Sequence, residues 1–337
     1  MRVDIAALTQ GAQVPSARFR WQQHRATLEA EGLRCCELVS RWNAYAPAPK
    51  AVRPLWLGAA GLDSLQRVLR ARRARLRFLQ RNLIATLETF EPLLSHPFIF
   101  DVDDAIFLGP RGGSADRIAR RASLTICGNA FLAEHFSKLG PVTILPTAVD
   151  AERFHPAQAL APGHPVLVWS GSSGGLHYLK GIEPALGEVL RLHPHARLRI
   201  VADRMPRLPS LPAAQVEFVP WSPDTEVAVL QSSTIGLMPL EDDLWARGKC
   251  SFKMLTCMAV GLPVVVSPVG MNQELLAQAD CGLGARDKDD WIEMLSALIA
   301  DPGRAAAMGR AGRALVMERY DRQVVGTCLA RLLKEAV

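Results

Sequence analysis

Short apolar runs alternate along the chain with segments in which apolar residues recur at helical spacing. In the first half, strands are predicted at residues 3–8, 33–38, 76–80, 97–100, 124–127 and 142–146. Helices are predicted there at residues 18–31, 62–75, 84–94 and 130–139. Repeated alternation of strand and helix is typical of a doubly wound parallel sheet.

A second series of the same kind follows a proline-containing break at residues 155–165, interpreted as an interdomain linker. Its strands are predicted at 166–169, 197–201, 216–218, 235–238 and 263–266, and its helices at 179–192, 224–231, 251–260, 272–279, 288–300, 302–320 and 321–336. The predicted fold is α/β, with two Rossmann-like doubly wound parallel-sheet domains facing a cleft at the carboxyl ends of their strands. The domains are expected at 1–157 and 163–320, and a C-terminal helix at 321–337 is expected to pack back on the first domain.

Composition agrees with two packed domains. The chain has 337 residues, 49% of them hydrophobic, and a mean hydropathy of +0.09. No apolar run reaches the ~18 residues of a membrane-spanning helix, and the early Asp4 argues against a secretory leader. Seven cysteines show no CxxC pair and no zinc-like spacing. A reduced, cytoplasmic setting is predicted.

Positive charge is concentrated in one stretch of a basic chain. The formal net charge is +6, and six arginines lie between Arg67 and Arg77. They form either a solvated helix face or a basic surface that contacts anionic lipid headgroups at the inner face of the membrane. Nucleic acid is not expected as a partner, because no aromatic residues interleave with these arginines and no nucleic-acid-binding motif is present.

Two glycine-bearing turns in the second half follow predicted strands. The first contains Gly171, Ser172 and Ser173 and leads toward Lys180, and the second contains Gly270, Met271 and Asn272 and leads into Glu274. Neither turn matches GxGxxG, which argues against a nicotinamide-dependent dehydrogenase. Each turn alone is explained by the change from strand to helix. Together with nearby cations, they favour a site for a diphosphate.

Those cations are Arg247, Lys249 and Lys253, around a helix predicted to begin near Ser251. A cation in the first turn of a helix is disfavoured by the helix dipole unless an anion compensates it. The alternative is a solvent-facing basic loop. The cluster therefore adds a second reason to expect bound phosphate.

Residues 247–274 resemble the donor-site signature of family-four-type GT-B glycosyltransferases. Three further segments resemble the same family: 145–156 its P-N-G-V-D…F-x-P segment, 127–132 the preceding helix start, and 166–202 the opening βαβ of its donor domain. The resemblance implies a nucleotide-diphosphate sugar held by the C-terminal domain and no metal or other cofactor. It also implies transfer, usually with retention, to a hydroxyl on a glycan, a lipid carrier or a small metabolite, as in polysaccharide biosynthesis.

The chain departs from that family at a pair of acids. The usual Glu-x7-Glu motif falls on Gly248 and Thr256, so neither acid is present. The Arg-Gly-Lys-Cys…Lys sequence found here instead resembles a subgroup of the family. Lys180 resembles the phosphate-binding lysine, and the arginine that usually precedes it is missing. Lys253 or Arg247 is expected to substitute for it.

An acidic cluster, Asp101, Asp103 and Asp104, follows a predicted strand in the first half. An Asp-x-Asp pattern holds Mn²⁺ or Mg²⁺ in the other glycosyltransferase architecture, GT-A. A second complete set of strand–helix units argues against that architecture. Asp103 and Asp101 are the predicted catalytic residues, with Asp104 on the acceptor side. The alternative is structural: one carboxylate caps a turn and another pairs with an arginine.

Three further residues are predicted on the acceptor side: Gly11, Arg18 and Asn129. Helix capping explains Asn129 equally well. Two other activities remain open at this point. One is a sugar-nucleotide epimerase of the same architecture, and the other is a non-catalytic nucleotide-sugar-binding module.

Overall fold

A computed structural model describes residues 3–12, 14–42, 45–109, 111–157 and 163–337. The chain divides into two compact units. Unit 1 comprises residues 1–148, 248–250 and 322–337, and unit 2 comprises 149–247 and 251–321. The first boundary therefore lies at 148 rather than at the expected 157. Residues 158–162 of the predicted linker lie outside the described residues.

Unit 1 contains six parallel strands, β1 to β6: Ile5–Thr9, Cys35–Val39, Leu76–Gln80, Phe98–Val102, Leu124–Cys127 and Val142–Ile144. Its α-helices are α1 (Pro15–Arg20), α2 (Arg25–Ala30), α3 (Arg53–Ala71), α4 (Gly113–Ala119), α5 (Ala130–Phe136) and, from the end of the chain, α14 (Arg322–Ala336). The strand order is β2-β1-β3-β4-β5-β6. Strands β1, β3 and β4 are buried at every position, as in parallel strands covered on both faces.

The side chains of alternate residues in these strands pack into two separate hydrophobic cores. Ala6 and Leu8 of β1 belong to a cluster with Val68 of α3, whereas Ile5 and Ala7 belong to a cluster with α14. Successive strand residues face opposite sides of a sheet. Helices α3 and α14 therefore cover opposite faces of the unit-1 sheet, called sheet 1 below.

Unit 2 contains a second six-stranded parallel sheet, β7 to β12: Val166–Ser170, Arg197–Ala202, Val216–Pro220, Ile235–Met238, Val264–Val266 and Gly282–Gly284. Its α-helices, α6 to α13, are Leu176–Gly181, Glu183–Leu192, Glu226–Gln231, Leu244–Arg247, Phe252–Ala259, Met271–Gln278, Lys288–Ala300 and Pro302–Leu315. The strand order is β12-β11-β10-β7-β8-β9. If the strands of unit 2 are numbered 1 to 6 and the sheet is read from β9, this is the 3-2-1-4-5-6 order of dinucleotide-binding folds. The prediction of two Rossmann-like α/β domains is confirmed.

The strand orders locate a switch point in each sheet. In unit 1 the strand order reverses between the neighbouring strands β1 and β3. In unit 2 it reverses between β7 and β10. Ligands of doubly wound sheets bind outside the carboxyl ends of the strands at such points. These two edges are where a site is expected.

The helix predicted at 84–94 is wrong. The segment forms turns and one short 3₁₀ helix, Glu91–Leu93. Buried Glu91 accepts hydrogen bonds from the backbone N–H groups of Leu83 (2.8 Å) and Thr89 (2.5 Å). Thr86 has a φ of +63°, which no helix allows. Local side-chain hydrogen bonding has replaced the helical ladder here.

The arginine-rich stretch is not one basic surface, which corrects the expectation for Arg67–Arg77. Arg67 and Arg77 are each 3% exposed. Arg67 donates to the Asp63 carboxylate (3.0 Å) and to the Thr9 carbonyl (3.2 Å). Only the four arginines between them face solvent: Arg70, Arg72, Arg73 and Arg75.

Candidate functional site

One arginine joins two carboxylates at the switch point of unit 1. Arg81 follows β3 with a φ of +55°, and Asp103 and Asp104 follow the neighbouring strand β4. The Arg81 guanidinium donates to Asp103 Oδ1 at 2.5 Å and also to Asp104 Oδ2. A positive φ outside glycine is uncommon, so the ion pairs hold Arg81 in a backbone conformation that the residue would otherwise avoid.

The two carboxylates differ in proton affinity. Burial opposes ionisation of Asp103, but Arg81 outweighs it and lowers the pKa of Asp103. Burial raises the pKa of Asp104, and the charge of Asp103 adds to this rise although Arg81 opposes it. One Arg81 cannot neutralise both acids. The pKa of Asp104 is therefore raised and that of Asp103 lowered, although both carboxylates accept hydrogen bonds from Arg81.

Asp101 lies deeper than a substrate-contacting residue would. Its side chain is 1% exposed, and both of its oxygens accept hydrogen bonds from Arg20. Arg20 also donates to the Leu145 carbonyl at 2.7 Å. The geometry corrects the expected catalytic role of Asp101: it is one half of a buried ion pair that anchors α1 to β4.

Residues 248–250 belong to unit 1, whereas Arg247 and Lys253 belong to unit 2. The Cys250 thiol donates to the Asp103 carbonyl at 3.1 Å, and the Lys249 carbonyl accepts from Asn129 Nδ2 at 3.0 Å. The positive charge of Lys249 lowers the pKa of Asp104, against the effect of burial. Lys249 thus acts on the Asp104 carboxyl group of unit 1.

Position 248 has no room for a side chain. A Cβ atom at Gly248 would lie 2.6 Å from the Cβ of Ala105 and 2.9 Å from its nitrogen. Thr256, the other position expected to hold an acid, is 5% exposed and donates to the Lys253 carbonyl at 2.9 Å. A glutamate at 248 would therefore require the backbone to move.

The remaining acceptor-side residues have local roles. Asn129 caps α5 by accepting from the N–H of Leu132 at 2.9 Å, as the capping alternative predicts. Gly11 has a φ of +80°, and a Cβ atom there would lie 2.5 Å from Val39. Arg18 is half-buried, with its guanidinium 5.1 Å from the ring of Phe19.

In unit 2, the first glycine turn packs on a buried tryptophan. Trp169 of β7 is 3% exposed, and a Cβ atom at Gly171 would lie 2.4 Å from its ring. The ammonium of Lys253, on α10, lies 6.0 Å from the centroid of the same ring. The turn after β7 and the first turn of α10 therefore meet at Trp169, beside the switch point.

A cationic pocket of about 370 Å³ opens next to this turn. Its lining includes Lys180 and His177 of α6 and Arg204 and Arg207 from the loop after β8. Ser173 also lines it, and the Ser173 backbone N–H donates to the Asp203 carboxylate at 2.5 Å. The pocket brings one lysine and two arginine side chains to one small volume.

The second glycine turn is tied to the entry of α10 through Asn272. Asn272 is fully buried, accepts from the Ser251 hydroxyl at 2.7 Å and donates to the Ser267 carbonyl at 3.0 Å. Gly270 has a φ of +53° and abuts the Arg247 backbone, where a Cβ atom would lie 2.8 Å from the carbonyl oxygen. The Asn272 side chain therefore joins the starts of α10 and α11, and a place for this residue in the donor site stays a prediction.

Other predicted donor residues differ in exposure. Met271 is buried, whereas Ser172 and Glu274 are exposed at this edge. Arg247 is exposed and paired with Asp242 at 2.7 Å. Sequence reasoning missed Arg20, Arg81, Arg204, Arg207 and Trp169. The arginines gave no local signal, because each acquires its partner or pocket only through the fold.

The fold is that of the two-domain GT-B glycosyltransferases. Sucrose-phosphate synthase from Thermosynechococcus elongatus superimposes with a TM-score of 0.71 at 16% identity, covering 98% of both chains. HepE from Anabaena, in complex with UDP and glucose, gives 0.71 at 15% identity over 99% of this chain and 100% of the other. WaaG, a glycosyltransferase involved in lipopolysaccharide biosynthesis, gives 0.67 at 14% identity over 98% and 99%.

A family model also matches part of unit 2. Residues 164–301 match the model of the glycosyl transferases group 1 family. This match spans β7 to α12 and includes Trp169, Lys180 and Lys253. No curated protein matches the chain by sequence.

Proposed function

We propose that the protein transfers a sugar from a nucleotide-diphosphate donor to a hydroxyl acceptor. The observation that carries the proposal is the group of cations beside the switch point of unit 2, within a glycosyl transferases group 1 domain. Lys180, Arg204 and Arg207 line one pocket, and Lys253 stands over Trp169 at the adjacent turn. A diphosphate leaving group develops negative charge as its bond to the sugar breaks, and fixed cations stabilise that charge.

The donor panel should begin with UDP-sugars. HepE has been solved in complex with UDP-glucose. We further propose that no metal is needed, because lysine and arginine side chains supply the positive charge that a metal supplies elsewhere. Retention at the anomeric carbon rests on the resemblance alone and is part of the same proposal.

The acceptor is assigned to unit 1. The Asp104 carboxyl has a raised pKa and is 29% exposed, so it is available to take the proton of an acceptor hydroxyl. Asp103, held by Arg81, would keep its charge and orient that group. Asp101 has no part in this scheme because Arg20 occupies both of its oxygens.

The first experiment is a thermal-shift panel of UDP-, GDP-, dTDP- and ADP-sugars, each with Mg²⁺ and with EDTA. A selective shift that survives EDTA is expected. Lys180→Ala and Lys253→Ala should each weaken binding about 10- to 100-fold, since a hydrogen bond to a charged group contributes roughly 1.5–3 kcal/mol. Lys288→Ala, an exposed lysine at the start of α12, is the matched control and should bind normally.

Product analysis separates the alternatives. Transfer predicts a glycosylated product only when an acceptor is added. An isomerised nucleotide sugar formed without acceptor would establish an epimerase, and selective binding without turnover on any acceptor would establish a binding module. A shift that requires Mg²⁺ and disappears in Asp103→Ala would overturn the assignment of the donor to the cations of unit 2.

A further inference from the structure

The outer face of helix α3 is an uncovered apolar stripe. Leu55, Leu62 and Leu69 are spaced seven residues apart, so they project from one side of the helix. They are 80%, 59% and 45% exposed. The opposite side of α3 is buried, with Val68 and Ala71 in the core of unit 1. The stripe therefore runs the length of the helix, and the core does not use it.

Charge on this face has one sign. Asp63 is the single acidic residue of α3, and it is buried against Arg67 at 3.0 Å. Arg70 lies at the end of the stripe, and Arg72 and Arg73 follow in the next turn; all three are exposed. The face that remains accessible is thus leucine along its length and arginine at its C-terminal end, without a carboxylate.

We propose that the outer face of α3 docks in the plane of an anionic lipid bilayer. The leucines would enter the boundary between headgroups and acyl chains, while the arginines pair with anionic headgroups. The helix has 19 residues and is about 28 Å long, enough to lie along the surface as an interfacial helix. Binding of an interfacial helix depends on its buried apolar area and on its attraction to anionic lipids, and the stripe and the arginines supply both.

A second copy of the chain fits this face less well than a lipid surface does. Two copies would bring together faces that carry only leucines and cations. Complementary charge is then missing, and like charges repel. An anionic bilayer supplies both an apolar layer and the opposite charge, which is why the lipid surface is the occupant we argue for.

Docking through α3 also indicates which class of acceptor the protein uses, an inference that rests on the proposed function. Helix α3 follows β2, whose carboxyl end lies at the same edge of sheet 1 as Arg81. Tyr45, in the connection between β2 and α3, is close enough to Arg81 to add to the rise in the pKa of that arginine. The acceptor edge of unit 1 would therefore lie near the bilayer, which favours a hydroxyl on a lipid carrier.

Vesicle flotation of the full chain tests the docking. The vesicles contain phosphatidylcholine alone or phosphatidylcholine mixed with phosphatidylglycerol. The wild type is expected to float with the mixed vesicles, and less so in high salt. Leu55→Asn/Leu62→Asn/Leu69→Asn should reduce the partition coefficient about tenfold or more, because the apolar contact is lost. Arg70→Gln/Arg73→Gln should reduce it several-fold.

Two controls protect the interpretation. Leu192→Asn/Met317→Gln changes exposed apolar residues of unit 2 (51% and 47% exposed) and should float as the wild type does. All variants alter exposed side chains, so an unchanged circular dichroism spectrum is expected. The docking is overturned if the leucine variant floats like the wild type, if the wild type does not bind mixed vesicles, or if sedimentation shows a dimer that the leucine variant dissociates.

The same variants separate this inference from the proposed function. The thermal shift with nucleotide sugars should be unchanged in the leucine variant, because α3 belongs to unit 1 and the donor cations belong to unit 2. Flotation without any donor shift would reject sugar transfer and keep the docking. A donor shift without flotation would reject the docking alone.

Discussion

Removing either partner of the buried Arg20–Asp101 pair should destabilise unit 1 strongly. Arg20 is 3% exposed and Asp101 is 1% exposed, so each charge left behind would have little access to water. Arg20→Met would leave the Asp101 carboxylate unpaired, and Asp101→Leu would leave the Arg20 guanidinium unpaired. Breaking a buried pair by removing one partner costs about 3–5 kcal/mol.

The double variant Arg20→Met/Asp101→Leu should be more stable than either single variant predicts. It removes both charges, and replacing a buried pair by apolar residues is often neutral or stabilising. The Leu145 carbonyl, which loses the hydrogen bond from Arg20 at 2.7 Å, contributes a remaining cost of about 1–3 kcal/mol. The double variant should therefore lose about 1–3 kcal/mol, against the ~6–10 kcal/mol that additive single effects would give.

Hydrogen exchange resolves the two units, because peptides covering β3 and β4 report the opening of unit 1 alone. Urea unfolding followed by circular dichroism provides the second measurement. Additivity of the two substitutions within about 0.5 kcal/mol would refute the reasoning, since independent sites add to that precision. A second arm tests the chemistry: the double variant should retain sugar transfer, whereas loss of turnover in a stable double variant would restore Asp101 as a catalytic residue.

Three further perturbations address single contacts. The wild-type kcat/KM should fall as pH is lowered through a pKa above the ordinary aspartate value, because the ionised Asp104 is the active form, and this limb should vanish from the pH profile of Asp104→Asn. Gly248→Ala should lower the free energy of unfolding in urea by about 1–3 kcal/mol, because its Cβ would clash with Ala105. The control Gly58→Ala, in α3, has open space around the new Cβ and should raise the free energy of unfolding by up to about 1 kcal/mol. Equal effects of the two substitutions would contradict the packing at Gly248. Asn272→Ala should cost about 1–3 kcal/mol and speed exchange in α10, and unchanged exchange would count against its bridging role.

The sheets were predictable because parallel strands that are buried on both faces appear in the sequence as short apolar runs. The apolar runs at β3, β5 and β10 coincide with their predicted bounds. Strand β12 went unrecognised because Gly282–Gly284 has one large apolar residue between two glycines. The failed helix at 84–94 depends on hydrogen bonds accepted by Glu91, which periodicity does not record.

The acidic cluster was predictable as residue types but not as pairs. An ion pair of Asp101 with some arginine was one of the two interpretations, yet its partner Arg20 is 81 positions away. Likewise, three consecutive residues, 248–250, leave the surrounding unit-2 sequence and join unit 1. Local patterns carry no information about such long-range pairing, so the division between Lys249 and Lys253 required the structure.

The position of α14 has a consequence for synthesis on the ribosome. Val325, Leu329 and Leu333 share a core with Trp21 and Leu28, so the first unit cannot complete its packing until the last helix has been made. The ~170 residues between 148 and 322 take about 9–35 s to translate at ~5–20 residues per second. During that interval one face of the nascent sheet lacks the part of its cover that α14 supplies, so apolar surface stays exposed. Truncation of the chain before α14 would therefore damage the part of the protein that is translated first.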